Sequence, residues 1–283
     1  MDRAFKYATI SIVAFWLIVF VFFPNILVFI VSFLKYNYAT RVELEATFAN
    51  YLRLVELRYL KIFLNSALLS GVTTLGCLIL AFPFSYILSR MKSNRKNLFL
   101  LFIIMPFWTS ALIRTYAIRV LITDNGVINT VFMKLGIITT PFEMIYTNGA
   151  VVLGLIYTLL PYMILPLYAS LEKLDNRYIE AAQDLGAGRF STLTRIVIPL
   201  TMPGIIAGSL LVFLPALGLY YIPEFLGGGK VLLVGNLIKE QFLGVSLNWP
   251  FGTAVSTMLT IIMGILLVVN YKTIKTSSEK GIL

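Results

Sequence analysis

Tyr220-Tyr221-Ile222-Pro223 runs directly into Glu224, an acid set behind aromatic rings near the outer end of an apolar stretch. Such a grouping suits an organic ammonium: the carboxylate supplies opposite charge, and a ring face attracts a cation within about 6 Å of its centroid. Trp108 and Tyr116, on a separate apolar stretch, can add aromatic walls to the same path. Two readings of Glu224 stand side by side. It lines a path for a cation, or it is an interfacial glutamate that pairs with Arg114 or Arg119 or sits in water. For the Trp and Tyr residues, the belt at the membrane–water interface is the commoner role. Arg114 and Arg119 suit carboxylates or lipid headgroups better than a cationic substrate.

Other chemistries are excluded by what is missing. The chain holds no histidine, and its one cysteine, Cys77, lies inside an apolar run. That removes His-based triads, the commonest metal ligand and a disulfide framework. Gly227-Gly228-Gly229-Lys230 resembles part of a phosphate loop, but the upstream glycine is absent and Val231 stands where Ser or Thr belongs. No apolar stretch carries a pair of carboxylates. The chain therefore shows no catalytic constellation and no means of using ATP; if it carries out active transport, the energy must enter through a partner.

The elements that would position these residues are membrane spans. Of the 283 residues, 59% are hydrophobic and 13% charged. Average soluble domains carry about 25% charged residues, so the bilayer is the solvent that fits. The formal net charge of +10 is spread between apolar stretches instead of forming a run, which points away from nucleic acid and toward basic cytoplasmic loops.

Arg3 and Lys6 precede an apolar run from Tyr7 to Leu34, far longer than a signal-peptide core and without a small-residue cleavage site. It reads as an uncleaved first span, with Pro24 near a kink or its outer end. Lys35 to Lys61 is a polar connector in which Thr47 to Leu57 reads equally as an amphipathic surface helix or a solvated linker. Further spans are predicted over Phe63–Leu88, Leu98–Leu121, Gly149–Tyr168 (broken by Pro161 and Pro166), Thr201–Tyr221 and Gly252–Tyr271, each near the ~20 residues a crossing requires. Gly204 and Gly208 make a small-xxx-small face suited to close helix packing. Leu232 to Phe242 is too short to span and reads as re-entrant or interfacial, and Lys272, Lys275 and Lys280 form a basic tail. There is no room for a large soluble domain, so residues 1–283 read as one transmembrane domain. Six spans put both termini on one side. Lys and Arg on that side outnumber those opposite by thirteen to eight, which places the termini in the cytoplasm.

Residues 172–199 are the longest polar-rich segment between two spans. Glu180-Ala181-Ala182 are good helix formers, and Leu185-Gly186 reads as a helix end with glycine as the left-handed cap. A second short helix follows from Arg189, with Phe190, Leu193, Ile196 and Val197 at helical spacing, until Pro199 stops it. Helix, glycine turn and helix on a membrane surface make a docking element.

The spacing of this loop also resembles a known family. Glu180-Ala181-Ala182, three residues, Gly186, nine residues and Ile196-x-Ile198-Pro199 resemble the EAA loop of importer permeases of the ATP-binding-cassette class. That family usually has Leu where this chain has Ile198. Other strings are similar to the polyamine-importer branch: Met105-Pro-Phe-Trp-Thr-Ser-Ala-Leu-Ile-Arg, Leu160-Pro-Tyr-Met-Ile-Leu-Pro-Leu-Tyr, Ser170-Leu-Glu-Lys-Leu-Asp, Ile198-Pro-Leu-Thr-Met-Pro-Gly-Ile-Ile-Ala-Gly and Asn248-Trp-Pro-Phe-Gly. The resemblance implies an all-α protein of six transmembrane helices, of the type I importer kind, in a bacterial inner membrane. It implies that Glu180, Ala181, Ala182, Gly186, Ile196 and Pro199 belong to a loop seated in a cleft of a cytoplasmic ATPase. That ATPase is a homodimer that binds ATP and magnesium, so this chain carries no cofactor. The further partners implied are a second, homologous permease, a periplasmic polyamine-binding protein and membrane lipid, and the implied work is import of spermidine or putrescine by alternating access. Alternatives are a permease for another cationic or small organic solute and an ion-coupled transporter. The latter calls for inverted repeats and intramembrane carboxylates in both halves, and neither is visible. A membrane-embedded enzyme is disfavoured by the missing histidines.

Overall fold

A computed structural model describes residues 3–245 and 247–279. In chain order the helices are α1 (Arg3–Leu17), α2 (Phe23–Ser32), α3 (Ala49–Leu54), α4 (Leu57–Ser89), α5 (Ser93–Ile104), α6 (Ala111–Ile122) and α7 (Val127–Lys134). They continue as α8 (Asn148–Glu172), α9 (Asn176–Asp184), α10 (Arg189–Thr192), α11 (Ile198–Leu200), α12 (Met202–Gly218), α13 (Tyr221–Gly227), α14 (Val234–Leu243) and α15 (Trp249–Glu279). Two short antiparallel strands, β1 (Leu34–Lys35) and β2 (Glu43–Ala46), pair between α2 and α3. Among the described residues, four continuous helical stretches are long and apolar enough to cross a membrane: Thr9–Ser32, α4, α8 and Trp249–Asn270. Two bent pairs, Arg95–Trp108 with Ala111–Lys134 and Arg189–Leu200 with Met202–Gly218, bring the count to six if each pair is one crossing. Of the basic tail, Lys280 lies outside the described residues.

The described residues group into two compact units, the first comprising the chain up to Lys61 with Leu237–Met263. In this unit Pro24 lies inside the first span and not at its outer end, and the helical stretch is continuous through it. A π-turn over Ile18–Phe22, closed by the Phe23 N–H on the Ile18 carbonyl, precedes the proline and the helix runs on to Ser32. The wider turn absorbs a residue that has no N–H to give and would clash with the carbonyl four positions back. The polar connector is more ordered than its composition indicates. Lys35 Nζ donates to Glu45 Oε2 at 2.8 Å across the strand pair, and that hydrogen bond, reinforced by the charges of Glu45 and Glu43, raises the Lys35 pKa. The helix expected over Thr47 to Leu57 is confined to α3. Its Asn50 side chain donates to the Ser32 and Leu34 carbonyls at 3.0 and 2.9 Å, satisfying acceptors at and just beyond the end of the first span. Near the start of α15, the Arg53 guanidinium stacks 4.4 Å from the Phe251 ring centroid.

The second unit, Ile62–Asn236 with the chain from Gly264, carries the loop and the candidate path. Its axis is α8. Val151, Leu155, Leu159, Met163, Leu167 and Leu171 recur every four residues along one face and are all buried. The expected break at Pro161 and Pro166 is absent, and α8 is continuous from Asn148 to Glu172. Neighbouring helices hold a proline-bearing membrane helix together even where a backbone bond is missing. α12 and α13 pack on this axis. A Cβ on Gly204 would lie 2.4 Å from the Ser170 Cβ, and one on Gly208 would lie 2.7 Å from Met163 Sδ. The small-xxx-small face is therefore spent on packing within the chain.

The third span differs from expectation. After α5 a 3-10 turn over Met105–Trp108 contains Pro106, Thr109 and Ser110 are extended (ψ 146° and 131°), and α6 leaves at a 96° bend. The fifth span ends earlier than predicted, at Gly218, because Leu219 turns extended (ψ 123°). Tyr220 to Glu224 thus leave that span, and Tyr221 and Glu224 belong to α13.

Replacing Gly204 by Val forces α12 off α8 and is expected to lower stability by about 1–3 kcal/mol, the cost of overpacking. Gly71→Ala is the control, since a Cβ there meets nothing within 4 Å. Thermal unfolding in detergent should show a reduced Tm for the first variant alone, and an equal Tm for both would contradict this packing.

Candidate functional site

The polar loop is built by local capping. Asp175 caps α9, its Oδ1 accepting the Arg177 N–H at 3.0 Å. At the other end Gly186 adopts φ +82°. The Gly186 N–H bonds the Gln183 carbonyl and the Ala187 N–H bonds the Ala182 carbonyl, both at 2.9 Å. This pair of bonds is a Schellman cap, which requires a left-handed residue that glycine alone fills without penalty. Glu180, Ala181 and Gly186 are exposed, whereas Ala182 faces inward and is buried. The predicted stop at Pro199 does not occur. A π-turn over Leu193–Val197 precedes the proline, closed by the Ile198 N–H on the Leu193 carbonyl, and α11 carries the chain through Leu200. The turn of direction comes at Thr201, whose Oγ1 donates to the Val197 carbonyl at 2.7 Å. Ile196 and Pro199 are half-buried, and Val197 rather than Ile196 fills the interior.

The loop's tip is apolar. Leu185 is 90% and Phe190 78% exposed, a surface suited to a protein partner. Behind it a groove of about 500 Å³ runs between α4 and the loop, lined by Phe82, Tyr86, Ile179, Gln183, Arg189 and Val197 among others.

The candidate path residues separate into two sets. Tyr220 and Tyr221 meet edge to face with ring centroids 6.1 Å apart. The phenol of Tyr221 lies within electrostatic reach of Arg114 on α6, Tyr162 on α8 and Tyr220. Glu224 is exposed in the first turn of α13, its N–H bonded to the Tyr220 carbonyl at 3.1 Å, where an acid complements the helix dipole. Trp108, 74% exposed, sits in the 3-10 turn beside Phe107, whose ring meets Tyr162 edge-on at 5.1 Å. Tyr116 is on an exposed face of α6, away from the buried Thr115, Ile118 and Ile122. Arg119 donates from Nη2 to Tyr146 Oη at 3.1 Å, and the Tyr146 N–H bonds the Leu226 carbonyl at 2.8 Å. Arg119 is thereby tied to the wall of α13. The Gly227–Gly229 run is a turn: Gly228 is left-handed, and a Cβ there would strike the Tyr146 ring.

Two members of this constellation were not identified from sequence. Tyr162 joins Tyr221 because α8 stays helical through Pro161, which the two prolines argued against. Asn236 holds the break before α13, donating from Nδ2 to the Tyr220 carbonyl at 2.9 Å. An asparagine in an apolar segment was its one sequence signal.

Residues 8–274 match the family of the binding-protein-dependent transport system inner membrane component, and the chain belongs to that family. It is therefore a multi-pass inner-membrane subunit of a transport system that has other subunits. The chain is 45% identical over 280 residues to the spermidine/putrescine transport system permease protein PotB of Haemophilus influenzae, covering 99% of this chain and 98% of that protein. It is 45% identical over 265 residues to PotB of Escherichia coli K12, covering 94% and 96%. A bacterial alginate ABC transporter, solved in complex with its alginate pentasaccharide-bound periplasmic protein, shares the fold. Its TM-score is 0.75 at 16% identity, over 94% of this chain and 92% of that one.

Gly186→Ala puts a Cβ on a left-handed residue at a cost of about 1–2 kcal/mol, and Asp175→Ala removes an N-cap worth about 1 kcal/mol. Hydrogen exchange over residues 176–187 should speed up in both variants, with α8 unchanged. Unaltered exchange in both would contradict the capping account.

Proposed function

We propose that this chain is one of two homologous permeases in an ATP-driven importer of polyamines. The observation that carries the substrate is full-length likeness, at about 45% identity, to two permeases named for spermidine and putrescine transport. The chemistry of the second unit agrees with it. Tyr220, Tyr221 and Tyr162 offer ring faces, and Glu224 supplies the opposite charge. Each cation–π contact is worth about 0.5–2 kcal/mol depending on desolvation. Attraction of that size favours entry of an elongated polycation without trapping it.

The loop at 172–199 is the coupling element, with Glu180, Ala181, Ala182, Gly186, Ile196 and Pro199 shaping what a cytoplasmic ATPase dimer grips. ATP and magnesium bind to that ATPase, and this chain contributes no nucleotide site. A periplasmic polyamine-binding protein delivers substrate from the other side, and lipid surrounds the spans. ATP-driven closure of the ATPase moves the loop, the spans rock, and the path opens outward. Hydrolysis resets it.

The test is uptake of radiolabelled spermidine and putrescine into proteoliposomes holding this chain, its partner permease, the ATPase and the binding protein. Uptake should require all four and be competed by unlabelled polyamine. Glu180→Lys or Gly186→Pro should abolish both uptake and stimulated ATP hydrolysis. Tyr221→Ala and Glu224→Gln should cut uptake about tenfold, the loss expected from one cation contact, with basal hydrolysis unchanged. Stimulated hydrolysis without polyamine uptake in the wild type would discard the substrate. Normal uptake by Glu180→Lys and Gly186→Pro would discard the coupling role.

A further inference from the structure

Glu172 is the last residue of α8, and Asp175, which caps the docking helix α9, follows three residues later. Glu172 therefore stands at the junction between α8 and α9. Its carboxylate does not simply face solvent there. Lys96, in the first turn of α5, donates from Nζ to Glu172 Oε1 at 2.9 Å across 76 residues of sequence. The Lys96 side chain is 17% exposed and lies over the Tyr168 ring at 5.9 Å. The Tyr168 hydroxyl is directed at the same carboxylate. Three groups from two elements converge; Glu172 is 44% exposed, and it is the shielded lysine that sets this pair apart from Lys35–Glu45 and Arg58–Glu56, in which both partners are exposed, a kind that contributes little.

What α5 leads to gives the contact its meaning. α5 runs into the 3-10 turn at Met105–Trp108 and, past the 96° bend, into α6. α6 carries Arg114 and packs on α13, which begins at Tyr221. A pull on Glu172 is thus applied to the near arm of the one third-span element that is bent at the aromatic cluster. The bend is where a small displacement of α5 can be taken up, because Thr109 and Ser110 are extended between the two helices.

We propose that Lys96, Tyr168 and Glu172 form a strut that positions the bent third span according to the state of the docking loop, coupling ATPase movement to the path. The strut rests on the coupling role assigned above to residues 172–199. Its members are positioning residues that touch neither nucleotide nor substrate.

The experiment compares Lys96→Glu, Glu172→Lys and the double exchange in the full transporter in proteoliposomes, with spermidine as substrate. Three quantities are read: retention of the ATPase on purification, ATP hydrolysis and spermidine uptake. Each single variant should retain the ATPase and hydrolyse ATP, yet consume about fivefold or more ATP per spermidine imported, the scale of coupling between distant sites. The double exchange, which restores opposite charges, should bring the ratio back toward wild type. A structural lesion would lower hydrolysis and uptake together and would not be rescued in ratio, and that outcome overturns the strut. So does an unchanged ratio in both single variants. Loss of ATPase from the single variants overturns it as well, since the strut lies behind the docking surface. Failure of the wild type to retain the ATPase would instead strike the coupling role of the loop, and the strut with it.

Discussion

Close approach of helices around α8 is the constraint on which the second unit depends. In lipid, apolar side chains gain little from leaving a medium as apolar as themselves, so helices associate through close packing and shared polar contacts. The four-residue stripe from Val151 to Leu171 meets positions that have no Cβ: Gly204 and Gly208 on α12. Gly154 on α8 itself does the same for α13, since a Cβ there would lie 2.3 Å from Leu226 Cδ1. Polar contacts add to this, with Ser85 Oγ donating to the Ile164 carbonyl at 3.2 Å. A rigid axis results, and the elements that bend are attached to it.

The bends are made in two ways, and proline is present at both. At Pro24 and Pro199 a π-turn ends two residues before the proline, and the helix continues through it. The extra residue in the turn accommodates a missing donor without breaking the rod. At Pro106 the chain takes a 3-10 turn and then extends, so the rod does break. Helical continuity is kept in the first span and in the loop. It is surrendered beside Phe107 and Tyr162, an irregular backbone that membrane proteins tolerate when it is buried in protein or lines a cavity.

Most of the span order and the first half of the loop, a helix ended by a glycine cap, could be read from the amino-acid order, whereas the π-turn before Pro199 and the helix running on through it could not. Both depend on local rules: runs of about twenty apolar residues, and a glycine whose left-handed cap leaves a fixed spacing. Gly186 is the clearest case, since its role follows from residue type and from Glu180 to Pro199 around it. What was not legible depended on contacts distant in sequence. Whether Pro161 breaks a helix is decided by neighbours, not by proline, so Tyr162 could not be placed. Tyr220 and Tyr221 were assigned to the fifth span, with Glu224 just beyond its end, because the run stays apolar past Gly218, whereas Asn236 holds a break there. The β1–β2 pair was hidden at a polar connector because strands of two and four residues leave almost no periodic signal.

The most direct measurement of the central claim, that the 172–199 loop is the seat of the ATPase, uses its tip. Leu185→Cys places a thiol on the most exposed apolar side chain of the loop, while the native Cys77 is buried and gives little background. Inside-out vesicles carrying the assembled transporter, or stripped of its ATPase, are treated with a membrane-impermeant maleimide. The account predicts rapid labelling in stripped vesicles and protection when the ATPase is present. Equal labelling with and without the ATPase, or labelling from the outer face alone, would contradict it.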